Sequence, residues 1–84
     1  MSESLGEALP AAIAKVSEWI GQQEAKAKEM DEMSPGLGDG YRLPAIIVRA
    51  QRDKAVAAQQ SGDVVAMIRA YHELKPAIDL ATAE

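Results

Sequence analysis

Apolar residues recur at steps of three and four over three stretches of the chain, the spacing that places side chains on one face of an α-helix. The first stretch is the longest. Its stripe consists of Leu9, Ile13, Val16, Ile20, Gln23, Ala27 and Met30, with Ala12 and Trp19 along its edge. Polar residues such as Lys15, Glu18 and Gln22 fall on the opposite side. The pattern predicts a helix over about residues 7–31.

The start of this helix has its own signals. Ser4 followed by Glu7 has the spacing of a capping box, in which the two side chains bond the first free backbone N–H groups. Pro10 suits the first turn, where a missing N–H costs nothing. At the other end, glycines and a proline between residues 32 and 43 break the helical pattern without replacing it by a strand pattern. We therefore expect a Gly-rich loop over residues 32–43.

The second stretch predicts a helix over about residues 44–60, with Pro44 at its first position. Its apolar face is expected to consist of Leu43, Ile46, Ile47, Ala50, Ala57 and Ala58. Lys54 lies within this face. Two interpretations stay open for it: the side chain extends past the alanines to solvent, or it bonds Gln23, the one polar residue of the first stripe.

The third stretch predicts a helix over about residues 63–75. Gly62 suits a left-handed cap, and Asp63 is a natural N-cap. Its apolar face is expected to consist of Val64, Met67, Ile68, Tyr71, Leu74 and Ile78. Pro76 removes a backbone donor and is expected to kink or end the helix, which leaves the conformation of residues 77–83 open.

These elements predict an all-α fold in one small domain over residues 1–84. The short connection at Ser61–Asp63 makes the second and third helices an antiparallel hairpin, against which the long first helix packs. The result is a three-helix bundle, either complete in one chain or completed by a second copy. Self-association is favoured because 16 of the 84 residues are alanine and none is phenylalanine, so one copy buries little apolar area.

Composition and charge narrow the classes of function. The net charge is −4, and all of it resides in residues 1–42, which carry eight acidic and four basic residues. Without a basic face we expect no nucleic-acid binding. Since no apolar run approaches about 18 residues, we expect no membrane segment. The chain has no cysteine and no recognisable signal peptide, which favours a cytoplasmic protein.

Residues able to support catalysis are sparse. His72 is the only histidine and is expected to be a solvated side chain beside the apolar face of the third helix. The glycine cluster of the loop follows a helix and contains no lysine, unlike a phosphate-binding loop. Neither Asp31 nor Asp39 begins a calcium-binding loop, because the positions that should supply ligands are apolar or proline. We therefore expect no enzyme activity, no cofactor and no metal site.

Two neighbouring features indicate a protein-binding surface. The first is the acidic end of the first helix, where carboxylates oppose the helix dipole. It is either a frayed, solvated helix end or an acidic patch that attracts a basic partner. The second is the loop, which carries residue types common at interface hot spots. An alternative is that the loop side chains close the end of the core. The predicted partner-binding residues are Glu29, Asp31, Glu32, Leu37, Asp39, Tyr41 and Arg42.

The leading hypothesis is a non-enzymatic protein–protein interaction module that covers a basic surface on its partner. A small acidic helical chain has the profile of inhibitors encoded by phages or mobile elements, such as anti-CRISPR proteins, although no motif carries this likeness. The alternative is a structural or assembly subunit, such as a component of a phage particle. A small helical enzyme ranks third.

Overall fold

The computed structural model describes residues 4–83, which form three α-helices and no strand. Helix α1 spans Leu5–Met33, α2 spans Asp39–Ser61 and α3 spans Val64–Ala83. Each helix packs against both others. The predicted all-α fold, a long first helix against a helical hairpin in a three-helix bundle, is therefore confirmed.

Helix α1 follows its predicted pattern closely. All members of the predicted stripe and its edge are buried except Ile13 and Met30, which are half-buried. Ser4 is the N-cap, but its side chain makes no capping bond, so the capping box is not formed. Pro10 is the sixth residue of the helix rather than a first-turn residue. Pro10 has no N–H to donate to the Gly6 carbonyl. Because Gly6 is exposed, water can bond this carbonyl, which limits the free-energy cost of the missing hydrogen bond.

The connection between α1 and α2 is shorter than predicted. It covers residues 34–38 instead of 32–43, so Asp39, Tyr41 and Arg42 belong to the first turn of α2 and not to a loop. Tyr41 and Arg42 both donate their backbone N–H to the Gly38 carbonyl at 3.0 Å, which closes that turn. Pro44 accordingly lies inside α2 and not at its first position. Contacts with α1 have overcome the low helix propensity of the glycines.

Gly38 is the point of closest approach between the turn and α1. It is buried, and a β-carbon added to it would lie 2.2 Å from the Ala27 carbonyl oxygen and 2.9 Å from the Ala27 Cα. The φ angle of Gly38 is an ordinary −77°. Glycine is therefore required here by the lack of space and not by backbone conformation.

The face that α2 turns toward the core differs from the predicted one. Its buried residues are Ala45, Val48, Ala55 and Ala58. Of the predicted core positions only Ala58 is buried, whereas Leu43, Ile46, Ile47, Ala50 and Ala57 are exposed. Lys54 is exposed as well, and none of the side-chain hydrogen bonds among the described residues joins it to Gln23, so the proposed Lys54–Gln23 bond does not form. Helix α2 thus approaches the core through small side chains.

Arginines along α2 bond α1 in this orientation of the helix. Arg42 pairs with Asp31, and Arg49 pairs with Glu24. One turn further along, Arg52 donates from Nη1 to Ser17 Oγ at 3.1 Å. These three contacts join α2 to α1 over most of their shared length. In the orientation in which they form, the alanine face of α2 lies inward and its branched aliphatic side chains lie outward.

The turn between α2 and α3 agrees with the prediction. Gly62 adopts a left-handed conformation with φ of 73°, and the Asp63 Oδ1 atom accepts bonds from Val65 N and Ala66 N at 3.0 and 3.2 Å. Helix α3 does not end at Pro76 but continues to Ala83. Buried Ala77 and half-buried Ile78 anchor the segment beyond the proline to the core.

The predicted apolar face of α3 is only partly correct. Leu74 is fully buried, and Met67, Tyr71 and Ile78 are half-buried, but Val64 and Ile68 are exposed. Buried Ala70 and half-buried Ala66 stand in the core instead. Alanines again take positions nearest a neighbouring helix.

Helices α1 and α2 extend beyond the end of α3. Ala81, near that end, lies beside Trp19 and Gln22 at one small cavity, so α1 beyond about Glu24 packs against α2 alone. We call residues 24–50 the arm. The molecule is accordingly elongated, with extents of 45 × 26 × 15 Å and a radius of gyration of 14.3 Å, against about 12 Å for a compact domain of this length.

Replacing Gly38 by alanine is expected to lower the free energy of unfolding by about 2 kcal/mol, because the new methyl group meets α1 backbone and cannot be accommodated without moving a helix. Chemical denaturation with circular dichroism measures this. Gly40→Ala is the matched control: nothing lies within 4 Å of its β-carbon, so stability is expected to be unchanged or to rise by up to about 1 kcal/mol. Equal effects at the two positions would contradict the close approach.

Gln23→Met is expected to raise the free energy of unfolding by about 1 kcal/mol. The substitution keeps the length of a buried side chain while removing a donor that has no partner. Gln22→Met, at the adjacent exposed position, serves as the control and is expected to change stability by less than about 0.5 kcal/mol. A loss of stability in Gln23→Met would show that the amide is satisfied in solution.

Candidate functional site

Asp31 joins the end of α1 to the start of α2. One carboxylate oxygen, Oδ1, accepts the backbone N–H of Gly38 at 2.9 Å. The other, Oδ2, pairs with the Arg42 guanidinium, which also donates from Nη1 to Asp39 Oδ1 at 2.9 Å. We call Asp31, Asp39 and Arg42 the brace, because together they hold the tip of the arm in one conformation.

The electrostatics of the brace follow from these bonds. The hydrogen bond from Arg42, and after it the bond from the Gly38 N–H, hold the pKa of Asp31 below its usual value. The pKa of Arg42 is raised in return, chiefly by the same hydrogen bond. Three of the seven predicted partner-binding residues therefore have a structural role inside the chain. Their contact with a partner stays a prediction.

The remaining predicted residues divide by exposure. Glu29, Glu32 and Leu37 are exposed, whereas Tyr41 is half-buried. Met33, which the sequence analysis did not select, is 76% exposed beside them. Among the residues that the structure describes, neither glutamate has an ion-pair partner. We call Glu29, Glu32, Met33 and Leu37 the tip surface.

Helical geometry places part of this surface away from α2. The α1 residues that contact α2 in the arm are Glu24, Ala27 and Asp31. At 100° per residue, Glu29 and Glu32 project from the opposite half of α1. The two carboxylates are thus free to meet a partner without disturbing the packing of the arm.

A second surface lies on α2 and escaped the sequence analysis, because its residues were assigned to the core. Leu43, Ile46 and Ile47 are 61%, 56% and 62% exposed, and Ala50 is exposed beside them. Their spacing of three, four and seven residues gathers them on one side of α2. We call these four residues the outer face of α2. The signal was present in the sequence as an amphipathic stripe, but the pattern cannot tell which neighbour a stripe faces.

The clefts between helices offer little for catalysis. One is an open cleft of about 510 Å³ between α2 and α3, which is lined by alanines and by Lys54, Arg69 and Glu73. A second, of about 360 Å³, is lined by Arg42 and Arg49, both engaged in ion pairs.

Among residues 4–83 no three His, Asp or Glu side chains are grouped to hold a metal ion. Nor does any helix there have the length and apolarity needed to cross a bilayer.

Asp31→Asn is expected to lower the melting temperature by a few °C at about pH 7, since it removes the charge that Arg42 faces while keeping an acceptor for Gly38. A carboxylate with a lowered pKa stabilises the fold above its unfolded pKa of about 3.9 and loses that effect as the pH falls through its folded pKa. The difference between variant and wild type should therefore shrink below about pH 4.

Thermal melts followed by circular dichroism from about pH 7 to about pH 2 test this expectation. Glu29→Gln, two residues away and without an ion pair in the described chain, is the control and should leave the melting temperature unchanged. A pH-independent difference for Asp31→Asn would show that the charge of the brace does not contribute.

Comparison of the chain with protein-family models, with curated proteins and with solved structures finds no match in any of the three. Its function therefore has to be argued from the tip surface and the outer face of α2 alone.

Proposed function

We propose that the protein is an interaction module that binds a partner protein through the tip surface. The observation that carries this proposal is the exposure of Met33, Glu29 and Glu32 at the end of α1 and of Leu37 in the turn that follows, which the brace holds in place. The two carboxylates have no ion pair in the described chain. Exposed apolar side chains together with charged ones are the composition expected of an interface centre and its rim.

The partner that fits this surface is a protein with a basic region around an apolar depression. The charge of −4 lies wholly in the half of the chain that contains the tip, so electrostatic attraction speeds the encounter with a basic partner. The brace reduces the entropy lost on binding, because the turn is already ordered. One form of this function is an inhibitor that covers a nucleic-acid-binding surface, as anti-CRISPR proteins of phages do. A cytoplasmic location accords with the lack of cysteine.

A structural or assembly subunit, such as a component of a phage particle, is the second candidate. The outer face of α2 favours it, since an aliphatic face at helical spacing suits helix-to-helix association. A small helical enzyme finds no supporting feature among the described residues, and the lack of enzyme activity stays a prediction.

Quantitative capture from a lysate of the source organism tests the tip surface. The immobilised wild type is compared with Glu29→Gln/Glu32→Gln and with Leu37→Asp. We expect at least one basic protein to be retained by wild type, to be lost with rising salt, and to fall about tenfold or more in both variants.

Glu18→Gln/Glu73→Gln is the matched control, because it removes the same two charges from exposed positions away from the tip. It should retain the partner at the wild-type level. Equal loss in the control would show that net charge alone drives binding, and retention by both tip variants would show that the tip surface is not the contact.

A further inference from the structure

The outer face of α2 is a cluster of exposed aliphatic side chains. Three branched aliphatic side chains, each more than half exposed, adjoin one another there.

The charges at the two ends of this face indicate what covers it. At 100° per residue, Asp39 and Lys54 lie on the same side of α2 as the aliphatic residues, four residues before Leu43 and four after Ala50. Both are exposed, with the Asp39 side chain at 63%. Asp39 Oδ1 accepts from Arg42 within the chain, while its Oδ2 has no hydrogen bond among the described residues. Lys54 lines the α2–α3 cleft near Glu73, with no ion pair in the described chain. Along this side of α2 an acidic residue, the outer face and a basic residue therefore follow one another.

We infer that a second copy of this chain covers the outer face, with the two α2 helices antiparallel about a two-fold axis between Ile46 and Ile47. Each Ile46 then opposes Ile47 of the other copy, and each Leu43 opposes Ala50. The same register brings each Asp39 opposite Lys54 of the other copy. Such a self-complementary patch is what a two-fold symmetric interface requires.

Other arrangements of the two helices fit less well. A parallel pair sets Asp39 against Asp39 and Lys54 against Lys54, which is repulsive. An antiparallel pair shifted by one turn in either direction sets one of these charges against an aliphatic side chain and leaves it without a partner. The antiparallel register with opposed isoleucines satisfies both the apolar and the charged positions.

This dimer is compatible with the proposed function and does not depend on it. Glu29 and Glu32 project from the half of α1 that faces away from α2, so the interface leaves them accessible. With α2 antiparallel, the two tips lie on either side of the axis, roughly 25 Å apart along the helices at 1.5 Å per residue. The dimer therefore presents two copies of the tip surface.

Sedimentation equilibrium of the full chain from about 1 µM to about 1 mM tests the inference. We expect wild type to dimerise, and Ile47→Asp to raise the dissociation constant about tenfold or more with its helical circular dichroism retained. Val65→Asp is the matched control, because Val65 on α3 has nearly the same exposure, 64% against 62%. It should dimerise as wild type does.

The register is tested by mixing charge variants. Asp39→Lys and Lys54→Asp each place like charges across the interface and should weaken self-association when alone. Mixed in equal amounts they form a heterodimer in which both cross-interface pairs are again of opposite charge, so association should return toward the wild-type level. Asp39→Lys also removes the Arg42–Asp39 pair of the brace, but this loss within one chain would not be relieved by mixing.

A monomer over the whole concentration range, a dimer that Ile47→Asp leaves intact, or a dimer that Val65→Asp weakens equally would each overturn the inference. A monomer whose partner capture is lost in Ile47→Asp would show that a different protein covers the outer face. Failure of the mixed variants to associate better than either alone would overturn the antiparallel register.

Discussion

The structure depends on the close contact between the turn at Gly38 and the backbone of α1 at Ala27. The start of α2 lies so close to α1 that a single methyl group at Gly38 would not fit. The small residues that follow on α2 continue the contact. Close packing over small side chains buries little area per residue, so it needs help from polar contacts. Those contacts are the brace and the arginines at positions 49 and 52.

This arrangement explains why the aliphatic side chains of α2 are outside. A helix that carries alanines on one side and isoleucines on the other buries more area through the isoleucines. Here the alanine side faces inward, in the orientation in which Gly38 fits against α1 and the ion pairs to Asp31 and Glu24 form. The larger side chains remain available for another molecule, and the monomer keeps an elongated shape with an uncovered arm.

The acidic end of α1 serves two purposes that its sequence does not separate. Asp31 is committed to internal bonds, whereas Glu29 and Glu32 on the other side of the helix make no ion pair in the described chain. Spacing around the helix is the cause, since Asp31 shares a face with Ala27 while the glutamates do not. One cluster of carboxylates thus contributes both to the fold and to the candidate binding surface.

The sequence by itself determined the number of helices, the burial of α1, the left-handed cap at Gly62 and the N-cap at Asp63, because these depend on local spacing and backbone preference. Only the tertiary structure decided where α2 begins, which side of α2 faces inward, and that α3 continues past Pro76. Each of these outcomes depends on contacts with another helix: Gly38 and Arg42 with α1, and Ala77 and Ile78 with the core. Periodicity shows that a helix has an apolar face, but the neighbour that covers it is a property of the assembled chain.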